Sequence, residues 1–152
     1  KIEKISMDDF LYRYFFGNGE RKLKIIFSSP CAFKTDGKYL FYPSVKHIMQ
    51  SLAAKFEETQ SGISVYTPEL IEDMEKNISI VQYNLKSRFF HMEGVRIPSF
   101  SGEITIKING PDQFVNLANM LIFFGEYSGI GIKCALGMGA VKAVGRSEYI
   151  NG

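Results

Sequence analysis

Three residue types are scarce in this sequence of 152 residues, which holds two cysteines, two histidines and no tryptophan. Cys31 and Cys134 are too few for a disulfide framework, and no CxxC or Cys/His cluster predicts a zinc site. We therefore expect two buried thiols, no metal and a reducing, cytoplasmic compartment. No apolar run approaches the roughly 18–20 residues of a membrane helix, so integral membrane proteins are excluded.

The composition is that of a folded domain. Hydrophobic residues make up 45% of the chain and charged residues 22%, as in globular rather than disordered proteins. A chain of this length forms one domain of ordinary size and buries roughly 68–70% of its unfolded surface. The sequence opens at Lys1 rather than Met, which leaves room for residues upstream.

The charges are unevenly distributed along the chain. Residues 1–56 carry ten basic and five acidic groups, residues 57–75 carry six acidic groups and no basic one, and residues 76–152 carry eight basic and five acidic groups. Two mildly basic stretches therefore flank an acidic one. This pattern permits a polyanionic partner, and it is equally typical of an ordinary solvated surface.

Hydrophobic periodicity predicts the elements of the first half of the chain. Residues 22–28 alternate apolar and polar side chains as a strand does, and Pro30 is expected to end that strand. Over residues 43–58 the apolar period becomes helical, which predicts an amphipathic helix. The acidic residues 59–76 are interpreted as an insert, in which Thr67 is the predicted N-cap of a short helix.

The second half of the chain is predicted to hold three strands and one helix. Strands are expected over residues 78–92, 103–109 and 140–144, with a turn at 93–94 and a helix over 112–124. The complete order is β-α-β-β-α-β. It predicts an α+β, ferredoxin-like fold, in which a four-stranded antiparallel sheet carries two helices on one face.

The other face of such a sheet stays open to a partner. RNA-binding modules of several kinds use an open sheet in this way. Tyr83, Phe89 and Phe90 offer rings that bases stack on, although we expect these rings to pack in the core. The basic residues predicted on the open face or its rim are Lys22, Lys24, Lys86, Arg88 and Lys107.

The most informative segment is the glycine loop, defined as residues 129–139, in which the pairs Gly129/Gly131 and Gly137/Gly139 flank Lys133. Its amides are suited to phosphate oxygens, or its glycines serve only close backbone packing. The segment lacks the lysine of a Walker A loop, the strand-to-helix context of a Rossmann loop and the aromatic residues of an RRM signature. We therefore expect no nucleotide cofactor.

Four ordered motifs resemble one family. The glycine loop fits the pattern GhGxxxxxGhG, with h apolar, that ends the CRISPR-associated RAMP proteins, in particular the repeat-processing endoribonucleases of the Cas6 family. Residues 27–34 resemble the family's F-x-[ST]-P-x-x-F-[KR] segment. Residues 97–102 are similar to the entry into a later strand, and residues 124–129 to the approach to the loop. The resemblance covers about residues 1–145.

This resemblance implies a domain organisation. Members of the family have two ferredoxin-like halves, and the chain resembles the second. Residues 1–20 are then the connector from a missing N-terminal half, and residues 21–152 are the ferredoxin-like RAMP domain. The family's acid–base residues, commonly a histidine, usually lie in the first half and have no counterpart here.

The resemblance also implies an activity. The family cuts precursor CRISPR RNA without a metal, by attack of a 2′-hydroxyl on the neighbouring phosphate. This chain would be an RNA-binding half, inactive alone, whose partners are CRISPR repeat RNA, its N-terminal half and other CRISPR-associated proteins. Two alternatives remain: a non-catalytic RAMP subunit of an effector complex, and a ferredoxin-like domain that works only through protein contacts.

Few side chains are candidates for the chemistry itself. His47 aligns with Ser51 and Lys55 on the polar side of the first helix, where it is either a nuclease group or part of a solvated face. His91 is expected to be partly buried and hydrogen-bonded. The candidate RNA-binding residues are Gly129, Gly131, Lys133, Gly137, Gly139, Lys86, Arg88, Lys34 and Lys46.

Overall fold

The computed structural model describes Asp9, Gly17 and residues 19–59 and 66–145. The connector predicted over residues 1–20 lies almost wholly outside these described residues. No helix among them is long and apolar enough to cross a membrane.

The described residues form one four-stranded antiparallel sheet with helices on one of its faces. The elements, in chain order, are β1 (Lys22–Cys31), β2 (Phe33–Thr35), β3 (Lys38–Leu40), α1 (Val45–Thr59), α2 (Pro68–Asn77), β4 (Ile78–Met92), β5 (Val95–Ile108), α3 (Asp112–Ser128) and β6 (Val141–Gly145). The sheet has the strand order β4-β5-β1-β6, and β2 and β3 form a separate two-stranded hairpin. Apart from that hairpin and α2, the chain order is the predicted β-α-β-β-α-β, and the ferredoxin-like fold class is confirmed.

The core lies between the sheet and the helices. Leu23 and Ile25 of β1 pair with Ile106 and Ile104 of β5, and all four side chains are buried. The helices close over them, with the rings of α1 Phe56 and α3 Phe124 edge to face at 5.2 Å. Such a ring pair contributes about 0.5–1.5 kcal/mol beyond the area that it buries. Period-two burial on the strands thus leaves the opposite sheet face polar.

Pro30 does not end β1, contrary to prediction. The strand runs on to Cys31 because its register with β5 shifts between Phe27 and Cys31. Proline is tolerated at such an irregularity, where the ladder needs no N–H from it. The Pro30 carbonyl instead accepts a 2.8 Å hydrogen bond from the Gly139 amide, so the bulge is a docking point for the glycine loop.

The helix predicted in the acidic segment is present as α2. Thr67 is its N-cap, and its Oγ1 accepts the Leu70 amide at 3.1 Å. Ile71 and Met74 are buried in the common core, so this part of the segment is integrated into the domain. The carboxylates of α2, on Glu69, Glu72, Asp73 and Glu75, are exposed, as expected for a solvated face.

Candidate nucleic-acid interface

The open sheet face carries the predicted cations. Lys24 of β1 lies beside Thr105 of β5, and Asn84 of β4 lies beside Glu103, on the face opposite the buried leucines and isoleucines. Glu103 lies among the cations and pairs with Lys24 at 2.9 Å. We call this surface the basic face. Its cations are Lys22, Lys24, Lys86, Arg88, Lys107 and Lys142.

A cleft of about 620 Å³ opens on the basic face between the β4–β5 hairpin and the bulge of β1. Lys86, Arg88, Asn84 and Glu103 line it, which places both predicted cations of β4 together with donors and acceptors. Arg88 Nε donates to Ser101 Oγ at 2.9 Å. The cleft therefore combines positive charge with polar groups, as a site for a phosphate-linked base requires.

Two aromatic residues on β4 are exposed, contrary to the expected core packing. Tyr83 is 72% exposed and Phe89 is 49% exposed, and Phe89 also lines the cleft. The Arg96 guanidinium lies 4.1 Å from the centre of the Phe89 ring. Phe90 alone of the three packs in a small apolar cluster, with Ala32 and others. β4 forms an edge of the sheet, so rings on it have less to pack against.

The glycine loop uses most of its amides internally. The Gly131 amide donates to Ser51 Oγ at 2.9 Å, and the Gly139 amide donates to the Pro30 carbonyl. Ile130 N–H donates to the Gly139 carbonyl, and Ile132 N–H donates to the Ala32 carbonyl. Amides committed in this way cannot also hold a phosphate, so the geometry favours the packing interpretation of the loop over an amide cradle.

Close approach explains three of the four glycines. A Cβ on Gly131 would collide with the Ala32 carbonyl, and one on Gly139 would collide with the Ile130 carbonyl. A Cβ on Gly129 would lie 2.7 Å from Cys134 Sγ. Gly137 differs, since its nearest neighbour would be Phe90 at 3.9 Å, and its φ of +105° is what favours glycine there.

Lys55 has a structural role at the glycine loop that we did not assign from the sequence. Its ammonium donates to the Gly131 carbonyl at 2.7 Å and to Cys134 Sγ at 3.0 Å, and it lies 3.5 Å from the Gly129 carbonyl. Ser51 and Lys55 therefore form the docking site of the glycine loop on α1, and the interpretation of this face as solvated is wrong for both. The i, i+4 spacing of the two residues was the available signal.

His47 is separated from these two residues by its own contacts. Its Nδ1 lies 2.7 Å from Ser44 Oγ, and its amide donates to that same oxygen at 3.1 Å. Partial burial, followed by the positive charge of Lys46, lowers the pKa of His47, while Glu75 acts in the opposite direction. The ring belongs to the helix layer, on the far side of the sheet from the basic face. Ser44 Oγ, rather than the ring, caps the start of α1, and the ring does not line the cleft.

The remaining candidates are dispersed. His91 is exposed near the tip of the β4–β5 hairpin rather than partly buried as expected. Lys133 is exposed in the glycine loop with φ +54°, and its carbonyl accepts two amides of the following turn. Lys34 is exposed on β2, 5.2 Å from the Tyr39 ring, and Lys46 is exposed on α1. The structure brings Lys86 and Arg88 together and leaves these four side chains outside the cleft.

The fold and this site define a class of protein. A ferredoxin-like domain with a basic open face and a glycine loop docked on its first helix matches the resemblance to RAMP proteins that the sequence motifs carry. Among the residues that the structure describes, no three histidine, cysteine, aspartate or glutamate side chains group as metal ligands would.

Comparison with known sequences gives the family. The family model for the CRISPR-associated endoribonuclease Cas6 matches residues 25–141. A CRISPR-associated endoribonuclease Cas6 of Streptococcus thermophilus is 31% identical over 148 residues, which cover 97% of this chain and 61% of that protein. One from Mycobacterium tuberculosis (strain CDC 1551 / Oshkosh) is 35% identical over 131 residues, covering 86% of this chain and 41% of that protein. The chain belongs to the Cas6 family, and it spans less than two thirds of these relatives.

Solved structures agree at the level of the fold. Thermus thermophilus Cas6 superposes with a TM-score of 0.75 at 23% identity, over 88% of this chain and 57% of that one. A Cas6 product complex superposes with a TM-score of 0.76 at 22% identity, over 88% of this chain and 56% of that one. The described domain therefore has the architecture of one part of a Cas6 chain.

Proposed function

We propose that this domain is the RNA-binding half of an endoribonuclease that processes precursor CRISPR RNA. The basic face carries the proposal, since it holds six cations, of which Lys86 and Arg88 line the cleft, and its Glu103 is already paired with Lys24. Cations arranged in this way bind an RNA backbone by releasing its counterions. The relatives are named as endoribonucleases, which favours this function over a non-catalytic RAMP subunit.

The cleft suits an RNA strand with an accessible base. Lys86 and Arg88 neutralise phosphates, while Asn84 and Glu103 offer an amide and a carboxylate to base edges. Phe89 adds a half-exposed ring beside Arg96, and base–aromatic stacking contributes about 1–3 kcal/mol per base. Solved Cas6 chains of the same fold include a product complex and a substrate mimic complex, which supports a ligand of this kind.

The glycine loop has a different role in this proposal. Its glycines fix the backbone against β1 and α1, and the loop presents Lys133 as the one side chain for a phosphate. Lys34, exposed on β2, makes a weaker, peripheral contact to the same RNA, whereas Lys46 lies on α1 in the helix layer, away from the basic face. The glycines thus support RNA binding through packing.

Cleavage itself depends on a companion ferredoxin-like half. Attack by a 2′-hydroxyl on the neighbouring phosphate needs a base, an acid and a cation that stabilises the phosphorane. The cleft contributes the cation through Lys86 or Arg88, and the companion half contributes the acid and base, so that no metal is required. Further partners are other CRISPR-associated proteins in the cytoplasm, in line with a Cas6-RT-Cas1–Cas2 complex that shares the fold.

The test is a paired binding and cleavage assay on this chain. Labelled repeat RNA is titrated at several salt concentrations and then analysed on a denaturing gel in EDTA. We expect binding that weakens linearly in the logarithm of salt, with the RNA left intact. The double variant Lys86→Ala/Arg88→Ala should weaken binding by at least about tenfold, which corresponds to 1.4 kcal/mol. Lys76→Ala, which removes an exposed cation from α2, should not change it.

Each other outcome has a defined meaning. Salt-independent binding, or equal binding by the double variant, contradicts the proposal. A discrete cut ending in a 2′,3′-cyclic phosphate would place the catalytic groups in this chain and restore His47 as a candidate. If the chain joined to a companion half binds without cutting, the non-catalytic RAMP subunit becomes the better description. A stable dimer that binds no RNA would indicate a domain that works through protein contacts alone.

A further inference from the structure

Three reactive side chains meet at the glycine loop, away from the basic face. Lys55 Nζ lies 3.0 Å from Cys134 Sγ, and the thiol is only partly buried. Cys31 is the second free thiol at this place, and its Sγ donates to the Ile130 carbonyl at 3.3 Å. None of the three takes part in the RNA binding proposed above. Cys134 is a thiol that can be oxidised, and Cys31 and Lys55 are the two neighbouring groups that could capture the oxidised sulfur in a covalent bond.

The two capturing groups differ in burial and in their contact with Cys134. Burial, and then the neighbouring Cys134 charge, raises the pKa of the Cys31 thiol, so that it stays protonated and is a poor nucleophile. Lys55 is only partly buried, and its Nζ lies in direct contact with Cys134 Sγ. The lysine is therefore the better-placed group to react with an oxidised Cys134.

The surrounding glycines hold this contact in place. A Cβ on Gly129 would lie 2.7 Å from Cys134 Sγ, and one on Gly139 would lie 3.2 Å from it. The sulfur therefore occupies space that exists because these residues lack a side chain. Lys55 is held from the other side by the Gly131 carbonyl at 2.7 Å, so both reacting atoms are positioned by the loop.

We propose that Cys134 is an oxidation site at which hydrogen peroxide forms a sulfenic acid and Lys55 captures it as a covalent sulfur–nitrogen bond. In the first step the thiol takes one oxygen from hydrogen peroxide, and one water leaves. In the second step the Lys55 ammonium releases one proton to solvent and the freed amine nitrogen attacks the sulfur. The S–O bond breaks, and the hydroxide takes a proton from that nitrogen and leaves as a second water. Overall the thiol and the amine each lose one hydrogen, and one peroxide is reduced to two waters. The bond would join α1 to the glycine loop.

The test is peptide mapping of the whole chain after peroxide treatment, which does not depend on RNA binding or cleavage. We expect the peptides that contain Lys55 and Cys134 to be joined, with a mass lower than their sum by two hydrogen atoms. Trypsin should no longer cleave after Lys55, and dithiothreitol should restore both peptides. The cross-link should also raise the thermal midpoint of unfolding, because it closes a long loop in the unfolded chain.

Variants separate this product from its rivals. Lys55→Arg keeps the positive charge but should stop at a sulfenic acid that dimedone traps, and Cys134→Ser should show neither product. Cys31→Ser should still form the bond, and Lys76→Arg is the matched control on another helix. If Cys31→Ser does not fold, the wild-type peptide map alone distinguishes the products, since a disulfide joins residues 31 and 134 and leaves Lys55 cleavable. That disulfide, or oxygen adducts with a free Lys55 amine, or no reaction at all, would overturn the proposal.

Discussion

The basic face and the glycine loop differ in whether their polar groups are already bonded within the domain, although both were candidates for RNA contact. The loop commits its amides within the domain, with Gly131 donating to Ser51 and Gly139 donating to Pro30. The basic face leaves four of its six cations exposed, and the partly buried Lys24 pairs with Glu103. The first arrangement stabilises a fold, and the second leaves charge available to a partner. A glycine-rich sequence is therefore not by itself a phosphate site, and the two regions should respond differently to substitution.

Gly131→Ala should have the largest effect, and the effect should be on folding. An added Cβ would collide with the Ala32 carbonyl, at a backbone φ of +90°. We expect a loss of at least about 3 kcal/mol in the free energy of unfolding, measured by urea denaturation followed by circular dichroism. Gly37→Ala is the control. The backbone φ at Gly37 is +78°, but no atom lies within 4 Å of an added Cβ. This variant should therefore lose only about 1–2 kcal/mol in the free energy of unfolding. Equal losses in both variants would show that close packing does not restrain the loop.

The buried thiol of Cys31, next to the glycine loop, should make the free energy of unfolding fall at alkaline pH. Burial raises the pKa of Cys31 above its ordinary value of about 9. Above that pH the unfolded chain loses the proton while the folded chain keeps it, so stability that is complete below pH 9 falls as pH rises. The slope from this thiol approaches about 1.4 kcal/mol per pH unit. Unfolding curves between pH 8 and 10.5 should show this slope in the wild type and not in Cys31→Ala, while an unchanged slope in the variant would contradict the assignment.

Lys86→Ala, on the basic face, should weaken RNA binding and leave the stability of the domain unchanged. Removing one phosphate contact lowers the slope of the logarithm of the binding constant against the logarithm of the salt concentration by about one. It also weakens binding to all RNA sequences alike. We expect this change for Lys86, in the cleft, and a smaller one for Lys133→Ala, in the glycine loop. Urea denaturation should show that both variants fold like the wild type. A larger change for Lys133→Ala would show that the main phosphate contact lies in the glycine loop and not on the basic face.

Most of the fold follows from local patterns that the sequence displays. The alternation in β1 and β5, the helical period of α1 and the Thr67 cap each depend on residues close together in the chain. The paired register then places Lys86 on the open face, as predicted. These features were predictable because period-two and helical burial act within one element.

The docking of the glycine loop was not predictable in this way. Hydrogen bonds join the loop to Ser51 and Lys55 of α1 and to Pro30 of β1. The residues that they join lie about 80–110 positions apart in the chain. No local pattern encodes such contacts, and the same glycines fit a phosphate loop equally well. The exposure of Tyr83 has a similar cause, because it depends on β4 being an edge strand with a register shift after Ile80.

His47→Gln should have the smallest effect, and at acidic pH alone. Partial burial and Lys46 lower the pKa of His47 in the folded chain, so the unfolded chain binds this proton more readily. The histidine's contribution is therefore complete above about pH 6.5 and is lost as the pH falls toward the lowered folded value. Because the ring is only partly buried, the loss should be small. Stability measured from pH 7.5 to 5 should decline slightly less in His47→Gln, and RNA binding at pH 7.5 should be unchanged. A decrease in binding there would connect the helix layer to the RNA site and contradict the division between the two faces of the sheet.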